Sequence, residues 1–265
     1  VYGRIDQDID RAIELLEKAR ETTLAENNKS HINLYVALGI KSRACLAEGD
    51  WDGAFKAAKR VIDEGGYAVG TKSDLTGGMN SLDKQNVMWG AGIQVADQAG
   101  GYAGFFTHMD NKEGAYAKSA PKLISKQLYN RISATDIRRD WWDPSDKESP
   151  YVSKKFSFAN VASFLGDYIY MRVEEMYFTA AEAALRLDDL KSARELMNTV
   201  MAERDPGYSA NNRSGTLLGA TTTTWTGSFL ENILTHRRIE LWGEYGRLFD
   251  VRRLGQGIDR RTDDG

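Results

Sequence analysis

The sequence has 265 residues, 42% hydrophobic and 28% charged, enough apolar material for one large core or two small ones. Its 35 basic and 38 acidic residues are interleaved and sum to a net charge of −3, which argues against a nucleic-acid partner. No run of roughly 18 apolar residues offers a membrane-spanning helix, and the single cysteine, Cys45, excludes an intrachain disulfide.

In chain order, Ile5, Ile9, Ala12, Ile13 and Leu16 fall on one helical stripe, with Asp and Glu on the opposite face. No leader precedes this pattern, so the chain is expected to begin inside a domain. A polar stretch over residues 26–30 ends the helix, and a second is predicted over 31–48, with Cys45 as a small buried hydrophobe in its apolar pattern. Gly49-Asp50 breaks it. A third helix follows, with Ala54, Phe55, Ala58, Val61 and Ile62 on its buried face. Gly65-Gly66 supplies the stop, because glycine accepts the left-handed conformation of a helix end.

From there to Asp167 the helical pattern gives way to glycine and aromatics, among them Val87-Met88-Trp89-Gly90, Gly100-Gly101-Tyr102, Phe105-Phe106 and Trp141-Trp142. The regular elements expected in this stretch are a helix over residues 121–131 and a short strand over 152–158. Val173, Met176, Tyr177, Ala180, Ala181, Ala184 and Leu187 then form a new stripe. Asp188-Asp189 turns the chain, and Leu190, Ala193, Met197, Val200 and Met201 form the returning stripe. Residues 211–227 read as a polar loop. Ser228 and Glu231 read as a capping box that opens the last helix.

The two helical pairs align with each other: Ala44 with Ala183, Leu46 with Leu185, Asp50 with Asp189, Ala54 with Ala193 and Val61 with Val200. Small residues recur where antiparallel helices must approach closely, and Gly49-Asp50-Trp51-x-x-Ala54 resembles a tetratricopeptide turn. The expected fold is all-α, a tetratricopeptide-like helical repeat scaffold with a large irregular Gly/aromatic-rich insertion. Residues 1–66 and 168–265 form the helical part of a single domain and 67–167 the insertion, where function is expected.

The segment Arg237-Arg238-Ile239-Glu240-Leu241-Trp242-Gly243-Glu244-Tyr245-Gly246-Arg247-Leu248-Phe249-Asp250-Val251-Arg252-Arg253-Leu254-Gly255 closely resembles the C-terminal signature of the SusD/RagB family, roughly R-R-x-E-L-x-x-E-G-x-R-x-x-D-x-x-R-x-G. It departs from that pattern by placing Tyr245 between Glu244 and Gly246. Residues 170–177 with Ala180-Ala181-Glu182-Ala183 look like the family's R-x-x-E-x-x-L-x-x-A-E-A helix, and residues 44–67 look like its early repeat. The resemblance covers nearly the whole chain, most loosely in the insertion. It implies a surface-exposed outer-membrane lipoprotein that captures an oligosaccharide or other nutrient and caps a SusC-like TonB-dependent transporter. No catalysis and no cofactor are expected, because the residues offer no unpaired acid/base couple, nucleophile or metal set. Family members are longer at both ends, so the signal peptide, the lipidated cysteine and part of the ligand surface are expected outside this chain. Cys45, inside a helix, is not that cysteine.

Glu240 and Glu244 share a helical face, and paired carboxylates are what a glycosidase uses, one protonated and one ionised. Arginines flank both, which favours a structural ion network that keeps both charged. Glu182 is expected in a similar network, and Asp136, Arg138 and Arg139 in a structural turn. His31, His108 and His236 lack metal-ligand spacing. Gly90-Ala91-Gly92 lacks the third glycine of a dinucleotide loop, and no nucleophile elbow or phosphate loop is present.

Sugar rings present flat C–H faces that stack on aromatic rings, so the insertion's aromatics are the remaining candidates. Trp89 reads as packing. Trp141 and Trp142 are the first candidates for ligand binding, with Tyr102 and Trp225 second. The tryptophan pair precedes Asp143-Pro144-Ser145-Asp146, a turn-forming run expected at the surface, and strand alternation would turn one ring to ligand and the other inward. Two other readings stay open: a tetratricopeptide-type peptide-binding scaffold and an all-helical glycosidase using Asp or Glu of the insertion.

Overall fold

A computed structural model describes residues 2–20, 28–97 and 103–259 of the chain. Helix α1 (Tyr2–Arg20) packs on α2 (Leu34–Glu48), which packs on α3 (Trp51–Glu64). Asn33 starts α2 by accepting the Val36 N–H at 2.9 Å. Gly49 closes it in the left-handed conformation, φ +83°, and Asp50 at once caps α3 by accepting the Gly53 N–H. Two residues thus end one helix and begin the next. At the far end of α3, Gly65 remains helical, and Gly66 takes the positive φ of +70°.

Short elements follow: α4 (Lys72–Thr76), β1 (Val87–Ala91), α5 (Phe105–Met109), α6 (Ala115–Ser119), α7 (Lys126–Tyr129), β2 (Trp142–Asp143), β3 (Val152–Ser153) and β4 (Tyr168–Arg172). Antiparallel β1 and β4 pair Val87 with Arg172 and Ala91 with Tyr168, with a register irregularity on each side of Trp89. Strands β2 and β3 form a second small ladder, Trp142 opposite Ser153. The helix expected over residues 121–131 is the single turn α7, started by Ser125, and the strand expected over 152–158 is two residues long.

Regular helix resumes with α8 (Val173–Arg186) and α9 (Leu190–Ala202), then α10 (Phe229–Glu240) and α11 (Arg247–Arg253). Asp188 makes the α8–α9 turn with φ +63°, and the Asp189 carboxylate caps α9 at the Ser192 N–H. Ser228 caps α10 as expected, accepting from Glu231 N–H at 3.1 Å. The Glu231 carboxylate reaches farther back than a capping box requires, to the N–H groups of Thr226 and Gly227.

Helix dominates, and α8 sits at the centre, against α3, α9 and α10. The main core lies between these helices, with Val61, Met176, Ala180, Leu196 and Ile233 among its members. Tight approach follows from small residues: Ala54, Ala58, Ala180, Ala181 and Ala183 expose no surface. A second core lies under the short elements, where Leu75, Phe106, Leu128, Ile132 and Trp142 meet Ile239 of α10. Cys45 is buried and unpaired, and burial followed by the nearby Asp50 charge pushes its thiol up to about 12, as suits a packing residue.

Candidate functional site

β4, α10, the 3-10 turn before β2 and the segment after α9 bring together an ion network. Glu240 accepts from Arg138 at 3.1 Å, from Arg172 at 3.0 Å and from Arg204 at 3.0 Å, all with fully buried side chains. Arg138 also clamps Asp136 at 2.6 Å, so the Asp136–Arg138 turn is structural. Burial opposes ionisation of Glu240, but Arg204, Arg172 and Arg138 outweigh it and hold the carboxyl well below the usual carboxylate range. Glu244, four residues on, lies past the end of α10, which corrects the expectation that the two carboxylates share a helical face, and it is held low in the same way by Arg172 and Lys155. Both carboxylates stay charged, so the pair presents no protonated acid of the kind a glycosidase uses. Glu182 belongs to a neighbouring cluster, gripped by both terminal nitrogens of Arg253 at 2.7 Å.

Glu244 emerges from this network into a cleft of about 490 Å³ between the β1–β4 ladder, α5 and the loop after α10. Its walls are aromatic: Trp89 from β1, Phe105 from α5, Phe156 from the segment after β3, Tyr168 and Tyr170 from β4, and Tyr245. Trp89 meets Tyr170 edge-on with ring centroids 5.1 Å apart, and Phe105 meets Phe156 likewise at 5.1 Å. Arg43 of α2 lies 3.9 Å above the Tyr245 ring, and Tyr245 stacks in turn on Phe249. Arg43 is tied down by Glu175, Nε to Oε1 at 2.9 Å and Nη2 to Oε2 at 2.6 Å, and by the Tyr170 carbonyl at 2.8 Å. A mostly apolar concavity of this size with a donor and an acceptor inside it has the form of a small-ligand site. A larger groove of about 720 Å³ runs past Lys112, Asp143, Glu148 and Lys154, but among the described residues the aromatic rings lining it are Phe156 and Phe158, so it offers little for stacking.

The residues singled out from sequence fall elsewhere. Trp141 and Trp142 are 2% and 1% exposed, which corrects the expectation that they form a ligand surface. Trp141 donates its indole N–H to the Leu75 carbonyl at 2.9 Å and lies under Lys155, while Trp142 packs edge-on against Trp242. Strand alternation does not govern them, because Trp141 ends a 3-10 turn and Trp142 begins β2, so both turn into the second core. Trp225 is half-buried, with the Arg131 guanidinium 4.3 Å over its ring, and does not line the cleft. Tyr102 lies outside the described residues. Trp89, read as packing, is half-buried at the cleft wall. Arg43, Tyr168 and Tyr170 carried no local signal, whereas Tyr245, the departure from the family signature, did.

The model of the SusD family matches residues 105–262. Among solved structures, a SusD-like carbohydrate binding protein from Bacteroides vulgatus ATCC 8482 is 28% identical with a TM-score of 0.72, covering 95% of this chain and 52% of its own. A SusD superfamily protein from Bacteroides thetaiotaomicron VPI-5482 is 20% identical, TM-score 0.68, covering 96% and 57%. Surface glycan-binding protein A from Bacteroides uniformis is 18% identical, TM-score 0.62, covering 96% and 59%. The chain therefore spans between half and two thirds of the length of these structures. Among curated proteins none matches.

Proposed function

Because the chain belongs to the SusD family, we propose that it binds a glycan without turning it over, as part of an outer-membrane, surface-exposed lipoprotein that delivers oligosaccharide to a SusC-like TonB-dependent transporter. The observation that carries the glycan reading is the cleft walled by Trp89, Phe105, Phe156, Tyr168, Tyr170 and Tyr245, with Arg43 and Glu244 inside it. Rings supply the stacking faces and the two charged groups supply a hydroxyl donor and acceptor. It is supported by two structural relatives described by carbohydrate or glycan binding. Among the described residues no helix is long and apolar enough to cross a membrane, and attachment through a lipid anchor is part of the proposal. Also part of it is the division into a tetratricopeptide-like scaffold, residues 1–66 and 168–265, and an insertion over 67–167. The hairpins α2–α3 and α8–α9, packed through α3 and α8, support that division. Tyr102, three residues before Phe105, and Trp225 enter as second-choice contacts.

A glycan array on the whole protein, repeated with Trp89→Ala and Tyr245→Ala, tests the reading. The expected result is binding that each variant weakens at least about tenfold, equivalent to about 1.4 kcal/mol. Binding indifferent to both variants places the ligand elsewhere, and Tyr102→Ala and Trp225→Ala then identify the alternative. A reducing-sugar assay on the bound glycan should show no release, and turnover abolished by a single carboxylate substitution would overturn the non-catalytic reading. Purification from detergent-solubilised outer membrane should recover a β-barrel partner.

A further inference from the structure

We infer that the aromatic cleft is built for an uncharged saccharide and rejects uronic, sialylated and sulfated ones; this rests on the reading of the cleft as the glycan site. The argument is a count of donors. Recognition of a carboxylate or sulfate draws on a two-nitrogen arginine fork or an unspent cation. Arg43 has no such fork left. Its Nε donates to Glu175, and both hydrogens of Nη2 are used, one on Glu175 and one on the Tyr170 carbonyl. Nη1 makes no hydrogen bond among the described residues, so one nitrogen remains, enough for a hydroxyl or ring oxygen.

The two cations behind the cleft floor are spent as well. Lys155 has three N–H groups and three acceptors, the carbonyls of Glu240 and Trp242 at 2.8 Å each and the Glu244 carboxylate. Arg172 gives Nε and Nη2 to Glu244, Nη2 also to the Glu240 carbonyl, and Nη1 to the Glu240 and Glu174 carboxylates. Two charged groups reach the cleft, Arg43 with its remaining nitrogen and Glu244, whose Oε2 accepts only the Arg172 Nε and keeps a lone pair. A sugar hydroxyl suits this pair, because it donates to Glu244 and accepts from Arg43. An anionic group would surrender its hydration to lie beside a carboxylate, with a single Arg43 nitrogen and, among the described residues of the cleft, no wholly free cation to receive it.

The test uses the whole protein. Neutral and acidic glycans are ranked on one array, and the best neutral oligosaccharide is titrated calorimetrically beside the same oligosaccharide oxidised at C6 to its uronate. Neutral glycans are expected to head the ranking, oxidation to weaken binding at least about tenfold, and Trp89→Ala to weaken what remains. An acidic glycan that heads the ranking and needs both Trp89 and Tyr245 overturns the inference while keeping the cleft as the site. Neutral binding indifferent to Trp89→Ala and Tyr245→Ala overturns the site reading itself, and the inference falls with it.

Discussion

Nδ1 of buried His236 lies 2.9 Å from Nη2 of Arg138. An arginine only donates, so the ring nitrogen must accept, and the imidazole is neutral. Burial first, then the charges of Arg138 and Arg213, hold its pKa well below the usual 6.5, against the weaker pull of Glu240. Tyr208 closes the other side edge-on.

This fixes the sign of a pH effect. Above about pH 6.5 the histidine is neutral in the folded and unfolded chain and adds no pH dependence. Below it the unfolded chain takes a proton that the folded one refuses, so stability falls with falling pH by about 1.4 kcal/mol per unit at most. Urea unfolding of the wild type should weaken between pH 6.5 and 5, and His236→Gln, which keeps an acceptor for Arg138, should flatten that interval. An unchanged slope in the variant would show that another group titrates there.

Glu240 controls the more acidic limb. Its folded pKa is depressed, so its contribution is complete above the unfolded value near 4.5 and is lost as pH falls towards the folded one. At neutral pH, Glu240→Gln leaves Arg138, Arg172 and Arg204 without their shared charge in a site closed to water, and is expected to cost about 3–5 kcal/mol. Glu14→Gln, which removes the exposed pairs with Arg11 and Lys18, should leave the urea midpoint unchanged. A Glu240→Gln midpoint equal to wild type would remove the network from the stabilising interactions.

The carboxylates of this network were legible in the sequence and their partners were not. Glu240 and Glu244 pair with Arg138, Lys155, Arg172 and Arg204 from distant segments, whereas the flanking Arg237 and Arg253 turn to Glu175, Asp250 and Glu182. Helix ends were legible too, because Gly49, Asp50, Asp189 and Ser228 act through backbone preferences spanning a few residues. The cleft was not. Its lining comes from positions 43, 79, 89, 105, 156, 168–170 and 243–245, seven separate segments that share no period, and Arg43 looks like any polar residue of a helix. Only chain crossings bring them together. Trp141 and Trp142 failed for a local reason: the alternation rule assumes continuous strand, and the backbone changes from a 3-10 turn to strand between them.

That placement separates two classes of tryptophan. Trp141→Ala and Trp142→Ala each empty part of the second core, and each should cost about 3–5 kcal/mol. Residual folded protein should keep its glycan affinity, whereas Trp89→Ala should lose affinity at a smaller cost in stability. Melting temperatures and glycan titrations on the three variants decide the matter. Selective loss of affinity in Trp141→Ala or Trp142→Ala would return that ring to the ligand surface.

Gly243 links the network to the cleft, and a pair of glycines isolates its role. Gly243 and Gly66 have nearly the same left-handed backbone, φ +75° and +70°, so alanine at either is strained by about 1–2 kcal/mol. At Gly66 a new Cβ meets nothing within 4 Å. At Gly243 it would lie 2.6 Å from the Phe156 ring and 2.9 Å from the Met109 methyl, so the ring must move. Overpacking of this kind adds about 1–3 kcal/mol. Phe156 is a wall of the cleft, and the next residue in the chain is Glu244, so the displacement reaches the ligand-facing surface directly. Gly66→Ala should therefore lower stability alone, and Gly243→Ala should lower stability further and weaken glycan binding. Equal affinity in the two variants would mean that the Phe156 wall takes no part in binding.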